Sequence, residues 1–247
     1  MKRRYIYFAA WKKKFVVLGA MLLLMAVFVP MIRANVRRNR LPEVRYSITI
    51  ILDAGHGGKD GGATSKSGVI ERDLVFDITL LVKDHLRTSG FNVILTRCDE
   101  NDLASDASSN RKREDLSRRV EILNNAENAL AVSIHANSVP SSKWSGAQVF
   151  YDAKSFENKE LATHIMAAMK TNIASVTREQ KPISNIFILR NSQIPTALVE
   201  VGFLSNPNEA HLLTTSEYQR QIAYSIFEGI LSYVQMMGLD GPLPLEN

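Results

Sequence analysis

From residue 47 onward, short apolar runs alternate with segments in which apolar residues recur every three or four positions. A run of four to eight apolar residues that is rich in β-branched side chains is typical of a buried strand. Such runs predict strands at 47–52, 91–96, 129–134, 147–151, 186–189 and 196–201. The helical periodicity predicts helices at 74–86, 113–125, 158–172 and 216–237.

The alternation of strands and helices determines the predicted architecture. Strands that are apolar on both sides need cover on both faces of a sheet, and crossover helices provide it. We therefore predict an α/β domain at 47–240, with a mostly parallel twisted sheet of about six strands and helices on both faces. Ligands of such open sheets bind at the carboxyl ends of the strands.

The first 40 residues follow a different pattern. Six basic residues in the segment 1–14 precede an uncharged run of 18 residues at 15–32. This run is long enough for a short membrane-spanning helix and exceeds a typical signal-peptide core. We predict a basic cytoplasmic segment at 1–14, one transmembrane anchor or uncleaved signal at 15–32, and a linker at 33–46. The charges ahead of the run favour a main domain on the extracytoplasmic side.

The net charge of +5 comes from this N-terminal region. Residues 1–40 contain ten Lys or Arg and no acidic residue, which leaves 20 basic and 25 acidic side chains in the remainder of the chain. The predicted domain is therefore mildly acidic, and we expect no nucleic-acid partner. Cys98 is the single cysteine, so the chain has no internal disulfide.

Four polar residues lie close to the predicted strand ends or at a helix start: His56, Glu71, His135 and Glu200. Two imidazoles and one carboxylate form a ligand set of catalytic zinc sites, which leave a fourth position to water. A second carboxylate could supply a general base. Their spacing is too long for a compact motif, and each residue alone could have a structural role, for example Glu71 as a partner of a helix dipole. Both interpretations stay open on the residues alone.

The sequence lacks the motifs of two alternative kinds of functional site, a phosphate-binding loop and a serine nucleophile. The glycine-rich stretch at 55–62 does not match the dinucleotide-binding pattern, because Asp60 takes the third glycine position, and no P-loop Gly-Lys-Ser/Thr follows it. Ser133 and His135 are not accompanied by the Gly-x-Ser-x-Gly turn of a serine hydrolase. The sequence therefore argues against both a phosphate-binding loop and a serine nucleophile.

Four separated segments resemble, in their order along the chain, those of the zinc-dependent N-acetylmuramoyl-L-alanine amidases of the amidase 3 family. They are Leu-Asp-Ala-Gly-His-Gly-Gly at 52–58, the Glu at 71, Ser-Ile-His-Ala-Asn at 133–137 and Val-Glu-Val-Gly-Phe-Leu-Ser-Asn-Pro at 199–207. The resemblance covers about 47–236 and implies one zinc ion held by His56, Glu71 and His135. It also implies that Glu200 is the catalytic glutamate. The implied reaction is hydrolysis of the amide bond between N-acetylmuramic acid and L-alanine in peptidoglycan.

Two further stretches, at 114–120 and 143–151, are similar to those of the germination-specific amidases of endospore-forming bacteria. This narrower resemblance implies removal of stem peptides from spore cortex, ahead of muramic-δ-lactam formation, in a compartment such as the space between the forespore membranes. Asn137 and Arg190 lie beside the predicted site, and two interpretations stay open for them: a contact with the substrate peptide or a structural role.

The expected partners are the peptidoglycan substrate, the membrane, and a protein activator or a second copy of the chain. The alternative function is a catalytically silent peptidoglycan-binding or activator module on the same fold. Such a module would be expected to lack a zinc ligand or the glutamate, whereas this chain keeps all four residues.

Overall fold

A computed structural model of the chain describes Met21, residues 24–31 and residues 46–241. The chain divides into two units, Met1–Leu41 and Pro42–Asn247. In the first unit the described residues are helical and expose large apolar side chains such as Phe28. Over the described residues, a helix with the length and hydropathy needed to cross a bilayer is absent. The segment predicted at 1–14 lies outside the described residues, as does half of the segment predicted at 15–32, and residue 46 is the one described residue of the linker predicted at 33–46.

One sheet organises the second unit. Its strands are β1 (Thr49–Ala54), β2 (Asn92–Leu95), β3 (Ala129–Asn137), β4 (Gln148–Tyr151), β5 (Lys181–Pro182) and β6 (Thr196–Phe203). The order across the six-stranded sheet is β2-β1-β3-β6-β4-β5. β4 pairs with β6 in antiparallel fashion, and the other four pairs are parallel. The predicted mostly parallel sheet of about six strands is therefore confirmed.

Helices connect and cover the strands of residues 46–241. They are α1 (Glu71–Thr88), α2 (Arg111–Asn124), α3 (Phe156–Asn172), α4 (Phe187–Asn191), α5 (Pro207–Leu213) and α6 (Ser216–Met236). The side chains of four N-cap residues accept hydrogen bonds from backbone amides of the first turn, namely Asn110, Ser155, Asn206 and Thr215. These caps satisfy helix-start amides that have no partner within the helix.

The sheet separates two apolar cores of unequal size. α1, α3 and α6 pack on one face, where their buried apolar side chains join those of the strands in the larger core. α2 and α4 cover the other face over a smaller core that contains Leu123, Ile188 and Leu198. The prediction of helices on both faces is confirmed, because α1, α3 and α6 cover one face of the sheet and α2 and α4 cover the other.

The strand predicted at 186–189 is wrong, because this segment belongs to helix α4. Arg190 N donates to Ile186 O, and Ser192 N donates to Ile188 O, both at 3.0 Å. A short apolar run does not distinguish a strand from a buried helical turn, since both bury consecutive side chains. The sheet position beside β4 is taken by the two-residue β5, and neither β5 nor α5 was predicted.

β3 extends beyond its predicted end at residue 134 and so includes His135, whereas Glu200 lies inside the strand predicted at 196–201. His135 and Glu200 lie within these strands and are register partners. Side chains alternate between the two faces along a strand. Glu200 therefore shares a face with Leu198 of the smaller core, and His135 lies beside it on the neighbouring strand.

Candidate metal centre

Three side chains converge at the carboxyl edge of the sheet: His56, Glu71 and His135. His56 lies two residues after β1, Glu71 is the first residue of α1, and His135 lies in β3. Glu71 Oε1 is 3.0 Å from His56 Nε2 and 3.0 Å from His135 Nδ1. The three potential ligand atoms all lie within 4.8 Å of one another. The structure thus brings together the three residues that the sequence predicts as metal ligands.

Backbone amides hold the Glu71 carboxylate in place. Ala63 N donates to Oε2 at 2.8 Å, and Ala136 N donates to Oε1 at 3.1 Å. The register between β3 and β6 shifts between His135 and Asn137. A shift of this kind disrupts the regular ladder locally, and at this point the Ala136 amide bonds to the carboxylate. Glu71 is therefore fixed at both oxygens before any ligand binds.

Two glycines allow the ligand side chains to approach the backbone closely. A Cβ atom on Gly55 would lie 2.3 Å from His135 Cε1, and one on Gly62 would lie 2.6 Å from both Glu71 Oε2 and His56 Cδ2. Gly62 also has a φ of +68°, a left-handed conformation that glycine adopts without steric cost. The glycine-rich stretch therefore accommodates the packed ligand residues, which agrees with its lack of a phosphate-binding motif.

The chemistry and spacing of the three residues fit a zinc ion. Ligand atoms on a tetrahedral ion with bonds of about 2.0 Å are about 3.3 Å apart. This is close to the 3.0 Å between Glu71 Oε1 and each imidazole nitrogen. Two histidines and one glutamate are also a ligand set of catalytic zinc sites. His56, Glu71 and His135 would together hold the ion and leave one position open.

The electrostatics of the three residues favour a bound cation. Burial acts to raise the pKa of Glu71, but the hydrogen bonds and positive charges of His135 and His56 outweigh it and hold that pKa well below its usual value. Burial acts to lower the pKa of His135, but the hydrogen bond to Glu71 and the negative charge of Glu200 raise it overall. A metal ion can replace the imidazole protons, because ligation requires neutral histidine and releases protons.

Asp60 lies behind His56 on the side away from Glu71. Its Oδ2 atom is 3.1 Å from His56 Nδ1. Asp60 also accepts a hydrogen bond from Gly62 N at 3.1 Å, and its Oδ2 lies 3.4 Å from Lys112 Nζ. A carboxylate behind a ligating histidine helps to set the orientation of the ring and increases its basicity.

Glu200 lies beside the three-residue group but outside it. The residue is the β6 partner of His135 in the sheet register. Its Oε2 atom is buried without a hydrogen-bond partner among the described residues. Burial raises the pKa of Glu200 to about 7, and the negative charge of Glu71 adds to the rise while the positive charge of His135 opposes it. Glu200 can therefore both accept and release a proton near neutral pH.

The four residues line one cavity of about 410 Å³. Asn137 and Lys112 also line it, and the first residues of α4 contribute an apolar wall that includes Phe187. Arg190 does not line this cavity. Its side chain is exposed, and its carbonyl oxygen accepts a hydrogen bond from Lys154 Nζ at 2.8 Å. Of the two residues expected to contact a peptide, the structure therefore brings Asn137 to the cavity and leaves Arg190 outside it.

Several charged residues around the cavity were not found from the sequence. In α2 the buried positions are Asp115, Arg119 and Leu123, whereas Leu116 and Val120, two apolar residues whose spacing predicts the helix at 113–125, are half-buried. Asp115 and Arg119 are four positions apart and so lie on one face of the helix. This spacing is the feature of the sequence that could have indicated an ion pair between them.

Comparison with known proteins gives a consistent result. A family model described as N-acetylmuramoyl-L-alanine amidase (amidase 3) matches residues 50–232. The germination-specific N-acetylmuramoyl-L-alanine amidase of Bacillus subtilis (strain 168) is 45% identical over 192 residues, covering 76% of this chain and 81% of that protein.

Solved structures with the same fold include two amidases of appreciable sequence identity. The CwlD amidase of Clostridioides difficile, whose structure is a complex with the GerS lipoprotein, has a TM-score of 0.74 at 40% identity and covers 76% of this chain and 98% of its own. The amidase AmiC2 of Nostoc punctiforme has a TM-score of 0.66 at 31% identity and covers 76% of this chain and 97% of its own.

Proposed function

The chain belongs to the amidase 3 family of N-acetylmuramoyl-L-alanine amidases, and from that premise we propose that it is a zinc-dependent enzyme that removes stem peptides from spore-cortex peptidoglycan. The observation that supports zinc dependence most strongly is the approach of His56 Nε2 and His135 Nδ1 to one oxygen of Glu71, 3.0 Å from each. In this proposal the three residues hold one zinc ion.

The proposed reaction breaks the amide bond between the lactyl carbonyl of muramic acid and the nitrogen of L-alanine. When bound, zinc supplies Lewis acidity, which polarises a carbonyl oxygen and makes water more acidic. Glu200 takes a proton from the attacking water and then gives it to the departing nitrogen. The products are a muramic acid carboxyl group and a peptide with a free L-alanine amine.

The surroundings of Glu200 support its proposed role in proton transfer. Burial raises its pKa to about 7, and its Oε2 atom has no hydrogen-bond partner among the described residues. A divalent cation nearby favours the carboxylate form, because opposite charges attract. We therefore expect the zinc-loaded enzyme to hold Glu200 as a base at neutral pH. Asn137 is proposed to contact the stem peptide from the cavity wall, and a contact with Arg190 stays a prediction.

The spore-cortex role is proposed from similarity to the Bacillus subtilis protein, whose name is germination-specific. Cortex that has lost stem peptides carries the free muramic acid carboxyl groups that muramic-δ-lactam formation requires. A protein activator is proposed because the Clostridioides difficile relative was solved in complex with a lipoprotein. A second copy of the chain is the other candidate partner.

We also propose that residues 15–32 anchor the enzyme in a membrane, with the catalytic domain on the extracytoplasmic side between the forespore membranes. The uncharged run of 18 residues supports this, as do the exposed apolar side chains of the described helical residues, such as Phe28. Fractionation of sporulating cells tests the anchor. The full chain should sediment with membranes, and deletion of residues 1–32 should release the domain; membrane association of the deleted form would contradict the anchor.

Muropeptide analysis tests the reaction directly. Purified cortex peptidoglycan is treated with zinc-loaded protein and, as a matched control, with His135→Ala at the same concentration. We expect two products from the sample treated with the unaltered protein and neither from the control. They are peptides that begin with a free L-alanine amine, and glycan with muramic acid that carries no peptide. Binding to cortex without cleavage would instead indicate a silent module, and cleavage within the stem peptide or the glycan would contradict the proposed bond.

A further inference from the structure

The backbone that carries His56 has an unusual conformation. His56 has a φ of +63°, one of two positive values among the non-glycine residues that the structure describes. A left-handed conformation is uncommon for residues with a Cβ atom and persists only where the surrounding structure determines it. The conformation directs the imidazole toward Glu71 and His135, so whatever fixes it also fixes a proposed metal ligand.

Arg119 of α2 holds the backbone of His56 through a hydrogen bond to its carbonyl oxygen. Arg119 is 1% exposed, and its Nη1 donates to Ala54 O at 2.7 Å while its Nη2 donates to His56 O. The contact with His56 O fixes the peptide plane that follows the ligand residue. Arg97 also donates to the loop, at Ala54 O and Gly55 O. Among these two arginines, Arg119 alone contacts the carbonyl of His56.

Two buried carboxylates hold Arg119 in this orientation. Asp53 Oδ1 accepts from Nη1 at 2.7 Å, and Asp115 Oδ2 accepts from Nε at 2.9 Å. Asp53 is itself fixed by Thr96 Oγ1 and Ser133 Oγ, each donating at 2.6 Å. The guanidinium thus joins β1, α2 and the His56 loop through a planar set of donors. A lysine could not reproduce it, because its single ammonium group lacks the fork of five donors.

We propose that Arg119 is a positioning residue for the metal site, which sets zinc affinity by holding the backbone of His56 in its left-handed conformation. Asp53 and Asp115 orient Arg119 in turn. The inference gives a physical role to the stretch 114–120, which contains both Asp115 and Arg119. It rests on the proposed function only in taking His56 as a zinc ligand.

The zinc dissociation constant of Arg119→Lys tests the proposal, measured on the full chain by competition with a chromophoric chelator. We expect zinc binding to weaken about 10–100-fold, the loss typical of residues that orient a metal ligand. The visible spectrum of the Co²⁺-loaded variant should also change in shape, because the His56 ring is no longer held in one orientation.

The matched control is Leu123→Ala, one turn further along α2. Leu123 is fully buried in the smaller core, so its truncation destabilises the same helix without touching the His56 loop. We expect its folded form to keep the zinc affinity and Co²⁺ spectrum of the unaltered protein. If Arg119→Lys does not fold, Asp115→Asn replaces it, and we expect a smaller but measurable loss of affinity.

The possible results distinguish a failure of the positioning role of Arg119 from a failure of the proposed zinc site. Zinc binding by folded Arg119→Lys within twofold of the unaltered protein would overturn the positioning role and leave the proposed zinc site intact. An equal loss of affinity in Leu123→Ala would also overturn it, since a general loss of stability would then explain both variants. Failure of the unaltered protein to bind zinc would overturn the proposed function and this inference together.

Discussion

At the residue scale, Glu71 and Glu200 are held in opposite electrostatic states within one cavity. Glu71 accepts hydrogen bonds from two backbone amides and lies between two imidazoles, and its pKa is held well below the usual value. In the part of the chain that the structure describes, Glu200 Oε2 has no hydrogen-bond partner, and burial raises the pKa of Glu200 to about 7. The same side-chain chemistry thus supports two roles, because the first carboxylate stays anionic and the second can exchange a proton.

The raised pKa of Glu200 predicts a pH-dependent stability difference in the zinc-free protein. The pKa rises from 4.5 to about 7 on folding, so the folded state loses stability as pH increases through this window. Glu200→Gln removes that loss and should increase the free energy of unfolding by about 1–3 kcal/mol at pH 8. Urea denaturation of both zinc-free proteins measures it. The gain should be much smaller at pH 5, and an equal gain at both pH values would contradict the raised pKa.

Gly62 provides a second residue-scale prediction. In Gly62→Ala the new Cβ would lie 2.6 Å from Glu71 Oε2, so the ligand must move. We expect zinc affinity to fall by at least about tenfold, as measured by chelator competition. Gly68→Ala is a matched control, because Gly68 also has a positive φ (+89°) but a Cβ there would meet no atom of the described residues within 4 Å. The control should lose about 1 kcal/mol of stability and keep its zinc affinity. Equal zinc affinities in the two variants would contradict the claim that the ligand side chains need a glycine at position 62.

At the element scale, the sequence predicts those parts of the fold whose apolar pattern is long and regular. The stripe of α6, from Ile222 to Val234, is buried as predicted, since a stripe of this length is specific for a helix. The run at 186–189 is too short to distinguish a strand from a helix, and Ile188 and Leu189 are buried in the smaller core as part of α4. Arg119 and Asp53 are 66 positions apart, so their pairing depends on the folded sheet and leaves no local signal in the sequence.

Helix α5 yields a prediction about how the end of β6 is secured. The buried carboxylate of Glu209 accepts from Phe203 N at 2.8 Å and from Gly146 N at 2.7 Å, and so joins β6, α5 and the loop before β4. Glu209→Ala leaves two buried amides without partners and should cost about 2–4 kcal/mol of unfolding free energy. Chemical denaturation measures this cost. Asn208→Ala, at an exposed position of the same helix, should change stability by less than about 0.5 kcal/mol; a comparable loss in both variants would contradict the joining role.

At the scale of the whole molecule, the proposed metal site links elements that are distant along the chain. His56 follows β1, Glu71 begins α1 and His135 lies in β3, so an ion held by all three would join these elements at the carboxyl edge of the sheet. Binding to the folded state alone stabilises that state by mass action. Bound zinc should therefore stabilise the whole folded domain in addition to its role in the reaction.

Thermal unfolding tests this link. With free zinc at about 100 times its dissociation constant, the gain is about 2.7 kcal/mol, which corresponds to an increase in Tm of about 5–10 °C for a domain of this size. His135→Ala removes one proposed ligand and should show no such increase at the same zinc concentration. An equal increase in the variant would rule out ligation by His135.

The proton-transfer role of Glu200 is tested by the rate of L-alanine amine release from cortex peptidoglycan by Glu200→Gln, measured at a zinc content equal to that of the unaltered enzyme. Glutamine keeps the shape of the side chain and cannot take a proton from water. We expect one zinc ion in each protein and a rate that is about 10²–10⁴-fold lower in the variant. A variant that binds zinc equally and releases peptide at the unaltered rate would contradict the assignment of Glu200 as the group that transfers the proton.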